Sequence, residues 1–211
     1  MARRRKQAKT AAERASDPDR WVRVRVAEDR EAPTLLLARL ARDVDGGVRA
    51  AVAFNPSAPP EALLGLAQDA EPTVRARLAE NGRTPAEAFV RLAADPVREV
   101  RSCVAKNPAA PPEVLARLAE DAFYYTQEMV GANPSTPPET LTSLAAHPDW
   151  GVRRGVASNP RTPPEVLAQL AEGADEWVMY YLAANPSTPE AARQKAAAYP
   201  LPEGYVRFLE D

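Results

Sequence analysis

A period of 26 residues constrains this chain more than any other feature. Asn55, Asn81, Asn107, Asn133, Asn159 and Asn185 recur at that interval, and Asp29 holds the same place in a first, degenerate copy. Leu40, Leu66, Leu92, Leu118, Leu144 and Leu170 keep the same step. Seven copies fill most of the 211 residues, and 16 of the 22 prolines fall at two places in the register, an Asn-Pro pair and a Pro-Pro-Glu motif. Proline this dense reads as disorder when it lacks a period. In register it is punctuation, and a chain that repeats one short unit must stack the copies to bury anything.

Each copy divides into two short helices. In Thr136-Pro137-Pro138-Glu139 and Thr162-Pro163-Pro164-Glu165, Thr reads as the N-cap, Pro as the first helical residue and Glu as the third. That is a capping box with prolines where no N–H is needed. The other helix is typified by VRAAVAFN at residues 48–55. It is predicted to stop at Asn, because the following proline disfavours the α conformation there and Asn can bond nearby backbone to set a turn. Helices this short do not persist alone in water, so each has to rest on its neighbours.

The repeated pattern VRxxVAxNPxxPPEVLxxLA, over residues 20–190, resembles the leucine-rich repeat variant family. The resemblance implies an all-α fold: a right-handed α-solenoid, or superhelix, of about seven 26-residue two-helix repeats, with one helix of each pair α and the other often 3₁₀-like. Some members carry an N-terminal iron–sulfur cluster on clustered cysteines. Cys103 is the only cysteine here, so that cluster is not carried over. The chain accordingly divides into a basic, disordered N-terminal tail at 1–19, the repeat domain at 20–190, and a C-terminal cap and tail at 191–211. The tail's Tyr205, Phe208 and Leu209 suit either folding back on the last copy or docking elsewhere.

A helical wheel at about 100° per residue places Arg49 near 100° from Val48, between Val52 near 40° and Ala53 near 140°. The Val52 and Ala53 places hold Val, Leu, Ala or Gly in every copy, so that arc is expected to be buried. Arg23, Arg75, Arg101 and Arg153 occupy the same place as Arg49. A guanidinium in such an arc needs a partner. One stands six residues upstream in four copies: Asp17 for Arg23, Asp43 for Arg49, Asp69 for Arg75 and Asp95 for Arg101. These residues are expected to form a structural ladder rather than a phosphate-binding stripe, because the acids track the arginines. The pattern lapses further on, where Asp121 precedes Gln127, His147 precedes Arg153 and Gly173 precedes Met179. His147, the single histidine, is read as structural, and Cys103 as a tolerated variant.

The places that vary are those that can face a partner. Residues 1–20 carry a net +4 and residues 125–211 a net −5. Phe123, Tyr124, Tyr125, Trp150, Trp177, Tyr180 and Tyr181 crowd the last three copies. A partner-binding surface is therefore expected on Tyr124, Tyr125, Trp150, Arg154, Glu176, Trp177, Tyr180 and Tyr181, with bulky filling of the end of the stack as the competing account. No nucleophile set, metal-ligand spacing or glycine-rich phosphate loop appears, so no enzyme activity, cofactor or metal is expected. No apolar run reaches the length of a membrane span, and the start lacks a signal-peptide core, so a cytoplasmic protein is the expectation. The function expected is a scaffold binding a protein or peptide. The alternative is a nucleic-acid-binding solenoid using Arg25, Arg77, Lys106, Arg154 and the basic tail, against which the acidic C-terminal copies argue.

Overall fold

The computed structural model describes residues 9–199, and helices are the only regular elements among them. Helix α1 (Ala11–Arg14) lies inside the segment read as a tail. The Thr10 hydroxyl accepts the Glu13 N–H at 3.2 Å, and the Glu13 carboxylate accepts the Thr10 N–H at 2.7 Å. Longer and shorter helices then alternate. The first helix of each copy is α2 (Arg20–Glu28), α4 (Gly46–Phe54), α6 (Pro72–Glu80), α8 (Arg98–Lys106), α10 (Tyr124–Ala132), α12 (Trp150–Ser158) or α14 (Glu176–Ala184). The second is α3 (Thr34–Leu40), α5 (Pro60–Leu66), α7 (Ala86–Leu92), α9 (Pro112–Leu118), α11 (Pro138–Ala145), α13 (Pro164–Leu170) or α15 (Glu190–Ala197). Both kinds are α-helical; the 3₁₀ character implied by the resemblance is not found among the described residues.

The chain divides into two compact units, residues 1–100 and 101–211. In the first, α4 packs between α2 and α6, while α3, α5 and α7 cover one side of that row. In the second, α12 packs between α10 and α14, covered by α11 and α13. In both units the first helices meet each other far more extensively than the second helices do. The register leucines fill the seam: Leu40, Leu66, Leu92, Leu118, Leu144 and Leu170 are all buried, with Val48, Val52 and Ala53 completely so. Each such leucine or valine contributes about 1.5–3 kcal/mol by leaving water.

The asparagines do more than set turns. The Asn159 Oδ1 accepts the Arg161 N–H at 2.9 Å, the expected turn. Its Nδ2 also donates to the carbonyls of Gly131 and Asn133 in the preceding copy, both at 2.8 Å. Asn55, Asn81, Asn133 and Asn185 repeat this double bond. Each is buried and satisfies two carbonyls left open where a helix ends. A row of amides thus stitches copy to copy within each unit.

The capping boxes are not formed. α11 starts at Pro138, its N-cap is Pro137, and no side chain caps it. Thr136 lies one residue too far out to reach the first turn. Its hydroxyl instead donates to the Val130 carbonyl at 2.6 Å, at the end of α10. Thr162 donates likewise to Val156 at 2.7 Å and Thr84 to Leu78 at 2.6 Å. Within the repeats, the side-chain caps lie on first helices, where Asp19, Asp45 and Asp149 accept N–H groups of the first turn.

Candidate partner-binding site

The arginine ladder is present, and its pairing differs from the sequence expectation. Arg23 grips Asp43 with Nε at 2.7 Å and Nη2 at 2.9 Å, and Arg49 grips Asp69 at 2.6 and 3.0 Å. Arg75 does the same to Asp95, and Arg101 to Asp121. The carboxylate lies 20 residues downstream, on the following copy. The upstream acid supplies only its main chain: Arg49 Nη1 donates to the Asp43 carbonyl at 2.8 Å, and Arg23 and Arg75 bond Asp17 and Asp69 in the same way. The Asp17 carboxylate pairs with Lys9 instead. In a 26-residue period, six upstream and twenty downstream are one place in the register, so the sequence names the members without fixing the pairs.

Each acid is aimed by a turn of its own. Asp69 Oδ1 accepts the Glu71 N–H at 2.9 Å, and Asp43 and Asp121 accept those of Asp45 and Phe123. Burial pushes the Asp43, Asp69 and Asp121 carboxyls up. The hydrogen bonds from arginine and from the turn N–H outweigh it and hold all three below the usual carboxylate range.

The ladder does not stop where expected. Asp121 is the partner of Arg101 rather than an orphan facing Gln127. Arg153 pairs with Asp175 and donates to the His147 carbonyl at 2.7 Å. His147 stands in for an acid, its Nδ1 accepting the Asp149 N–H at 3.1 Å.

Beyond the ladder, α10, α12 and α14 carry the aromatic residues. Tyr124 and Trp150 open α10 and α12 and are 54% and 41% exposed. Trp150 stacks on Trp177 at 6.4 Å between centroids, with the planes 27° apart. Tyr180 and Tyr181 meet edge to face at 5.3 Å, both half-buried. Tyr125 is half-buried under the Lys106 ammonium, 4.9 Å from the ring centroid. Glu176 is exposed at the start of α14.

Arg154 sits at the centre of this face and is held by its neighbours rather than solvated. Its guanidinium lies 5.1 Å from the Trp150 centroid and 6.0 Å from that of Tyr181, and it pairs with Glu128. The Glu128 carboxylate is only 8% exposed. Glu128 and Arg154 hold one place in successive copies, a place filled by Val24, Ala50, Ala76 and Ser102 earlier in the chain. A charged pair has replaced small side chains.

The glycines show how α10 and α12 accommodate it. A Cβ on Gly155 would lie 2.4 Å from the Glu128 carbonyl oxygen, and one on Gly131 would lie 3.0 Å from the Val156 nitrogen. The two helices pack backbone to backbone.

Against known proteins, the leucine rich repeat variant family matches residues 46–71, 98–123 and 150–175. Each match begins at the first residue of a first helix and runs 26 residues. These three copies match the repeat of that family. A solved structure described as a leucine-rich repeat variant with a novel repetitive protein structural motif is similar, with 28% identity, a TM-score of 0.61 and cover of 90% of this chain and 80% of that one. A designed armadillo repeat protein aligns with 15% identity and a TM-score of 0.34, over 90% of this chain and 96% of that one. A set of computationally designed armadillo repeat proteins for modular peptide recognition aligns with 14% identity and a TM-score of 0.32, with the same cover. No match was found among curated proteins.

In the 26-residue frame, the places that vary on first helices include exposed aromatics outside the C-terminal cluster. Trp21 on α2 and Phe54 on α4 are 59% and 49% exposed, and both line an open cleft with Val24, Ala51 and Arg77. They are single aromatics in copies otherwise poor in them, so a search for clustering along the chain misses them. Glu128 was missed because a lone acid in a helix looks solvated. Its signal was Arg154 one period later beside two glycines. The cations of the nucleic-acid reading are partly engaged: Arg77 pairs with Glu80, Arg154 with Glu128, and Lys106 covers Tyr125. Arg25 is exposed on α2. Among the described residues no group of acidic, His and Cys side chains is placed to hold a metal, and no helix is long and apolar enough to cross a membrane. Tyr205, Phe208 and Leu209 lie outside the described residues, as do the first eight residues of the basic segment.

Proposed function

We propose that this chain is a non-enzymatic repeat scaffold that binds a protein or peptide through the first-helix face of its C-terminal repeats. The observation that carries the reading is the joining of exposed rings to a braced charge. Tyr124 and Trp150 stand open at the ends of α10 and α12, while Arg154 is fixed over Trp150 by a buried carboxylate. Exposed Tyr and Trp beside a positioned Arg are the side chains that dominate binding energy at interfaces, because they bury much area at small entropic cost. A buried charged pair in place of Ala is not the cheapest way to fill a seam. Simple filling at the end of a stack would favour rings facing inward, yet the rings at the starts of α10 and α12 face water.

The test is affinity capture on the full chain, with and without nuclease, beside Trp150→Ala. Partners that survive nuclease and are lost with Trp150→Ala support this reading. Capture that disappears with nuclease favours nucleic acid, and capture indifferent to Trp150 moves the site elsewhere.

A further inference from the structure

We propose that the cleft at the start of α14 takes a basic side chain, the lysine or arginine of a peptide partner. This deepens the reading just given and rests on it. The cleft is open, about 500 Å³ in volume, and is lined by Trp150, Trp177, Tyr199, Asp175 and Glu176. Three aromatic rings and two carboxylates make up the whole lining. A ring face attracts a cation through its quadrupole, and a nearby carboxylate adds direct charge attraction.

The same unit already uses this chemistry internally. Arg154 lies over Trp150, and Lys106 lies over Tyr125. At the cleft itself no basic side chain of the described residues lines the wall. Asp175 is shared with Arg153, whereas Glu176 makes no ion pair among the described residues. The lining therefore keeps negative charge beside the exposed rings of Trp150 and Tyr199.

The wider field has the same sign, since residues 125–211 carry a net −5. An anionic ligand would be repelled by the two carboxylates. A purely apolar one would have to desolvate them without return. A lysine or arginine satisfies both walls: its methylene stem lies along the indoles while the charged head meets the acids.

The experiment uses the full chain carrying Trp21→Phe, so that tryptophan emission reports Trp150 and Trp177 alone. The probes are the peptide acetyl-Gly-Arg-Lys-Arg-Gly-amide and its counterpart with three glutamines in place of the basic residues. The basic peptide should change the emission saturably, and the glutamine peptide should bind at least about tenfold more weakly. Trp177→Ala should weaken the basic peptide about tenfold, and Glu176→Gln about three- to fivefold with a shallower salt dependence. Glu176 is exposed, so its variant should melt with the parent and keeps the test valid if Trp177→Ala is poorly folded.

Equal binding of the two peptides overturns the basic preference and leaves the peptide-binding reading standing. Binding of the basic peptide that neither variant weakens places the contact elsewhere and overturns the assignment. An emission that ignores both peptides but shifts when residues 201–211 are removed means that the chain's own segment fills the cleft, and this too overturns it.

Discussion

Replacing Arg49 by alanine probes the ladder at a rung whose contacts are fully specified. Arg49 makes two bonds to the Asp69 carboxylate, one to Glu71 at 3.1 Å, one to the Asp43 carbonyl and one to the Val44 carbonyl at 3.3 Å. The side chains of Arg49 and Asp69 are 15% and 7% exposed. Removing one member of a buried pair costs about 3–5 kcal/mol, because the other charge stays behind in a poorly solvated site. Water reaching Asp69 through the truncated side chain reduces that here to about 2–4 kcal/mol. With a urea slope of about 2 kcal/mol/M, the midpoint should fall by about 1–2 M. Far-UV circular dichroism against urea measures it, with Arg91→Ala as control. The Arg91–Glu87 pair is surface-exposed, at 39% and 62%, and its loss should cost under about 0.5 kcal/mol. A double-mutant cycle with Asp69→Ala should return a coupling of at least about 1.5 kcal/mol. Equal midpoints for Arg49→Ala and Arg91→Ala, or a coupling near zero, would refute the claim that these pairs brace the stack.

The amide stitch predicts that Asn159→Ala costs about 2–4 kcal/mol in the same assay, since two buried carbonyls and the Arg161 N–H lose their partner together. Close packing of α10 on α12 predicts that Gly155→Ala destabilises by about 1–3 kcal/mol. Gly65→Ala, in the last turn of α5 with nothing within 4 Å of the added carbon, should instead be neutral or stabilise by up to about 0.5 kcal/mol; the order of the two melting temperatures is the check. Asp43, Asp69 and Asp121 have lowered carboxyl pKa values in the folded chain, so their stabilisation is complete above the unfolded value of about 3.9 and is lost as pH falls through the lower folded values. Melting temperature should drop on acidification below about pH 4, and less steeply in Arg49→Ala, where Asp69 no longer has its arginine; an identical acid limb in both proteins would contradict the assignment.

Much of the fold was legible because a repeat declares its core. The leucines at 26-residue spacing and the Val48, Val52 and Ala53 arc are buried as read, and the Asn-Pro pairs end the first helices where proline chemistry says they must. What the sequence leaves open is whatever depends on which copy is the neighbour. Arg49 can be matched with Asp43 or with Asp69, and only the direction in which the side chain leaves its helix decides between them. The asparagine amides are the same case: the turn bond within a copy can be inferred, while the carbonyls of Gly131 and Asn133 come within reach of Asn159 only after stacking. Thr136 was misread for a local reason, a helix start displaced by one residue between two prolines. At the candidate site the aromatic positions could be read off the sequence. The environment of Arg154 could not, because burial of Glu128 arises from the glycine contact of α10 with α12.

Under the proposed function it is the C-terminal first-helix face, rather than exposed aromatic surface in general, that engages a partner. The direct measurement is the dissociation constant of a nuclease-resistant partner together with the thermal midpoint, on Trp150→Ala and on Trp21→Ala. Both rings are exposed, one in each unit, so loss of a generic hydrophobic contact would affect them alike. The account predicts that Trp150→Ala weakens binding at least about tenfold with little change in midpoint, while Trp21→Ala leaves affinity unchanged. A Trp150→Ala protein that melts lower yet binds with parental affinity, or a Trp21→Ala protein that loses the partner, would contradict it.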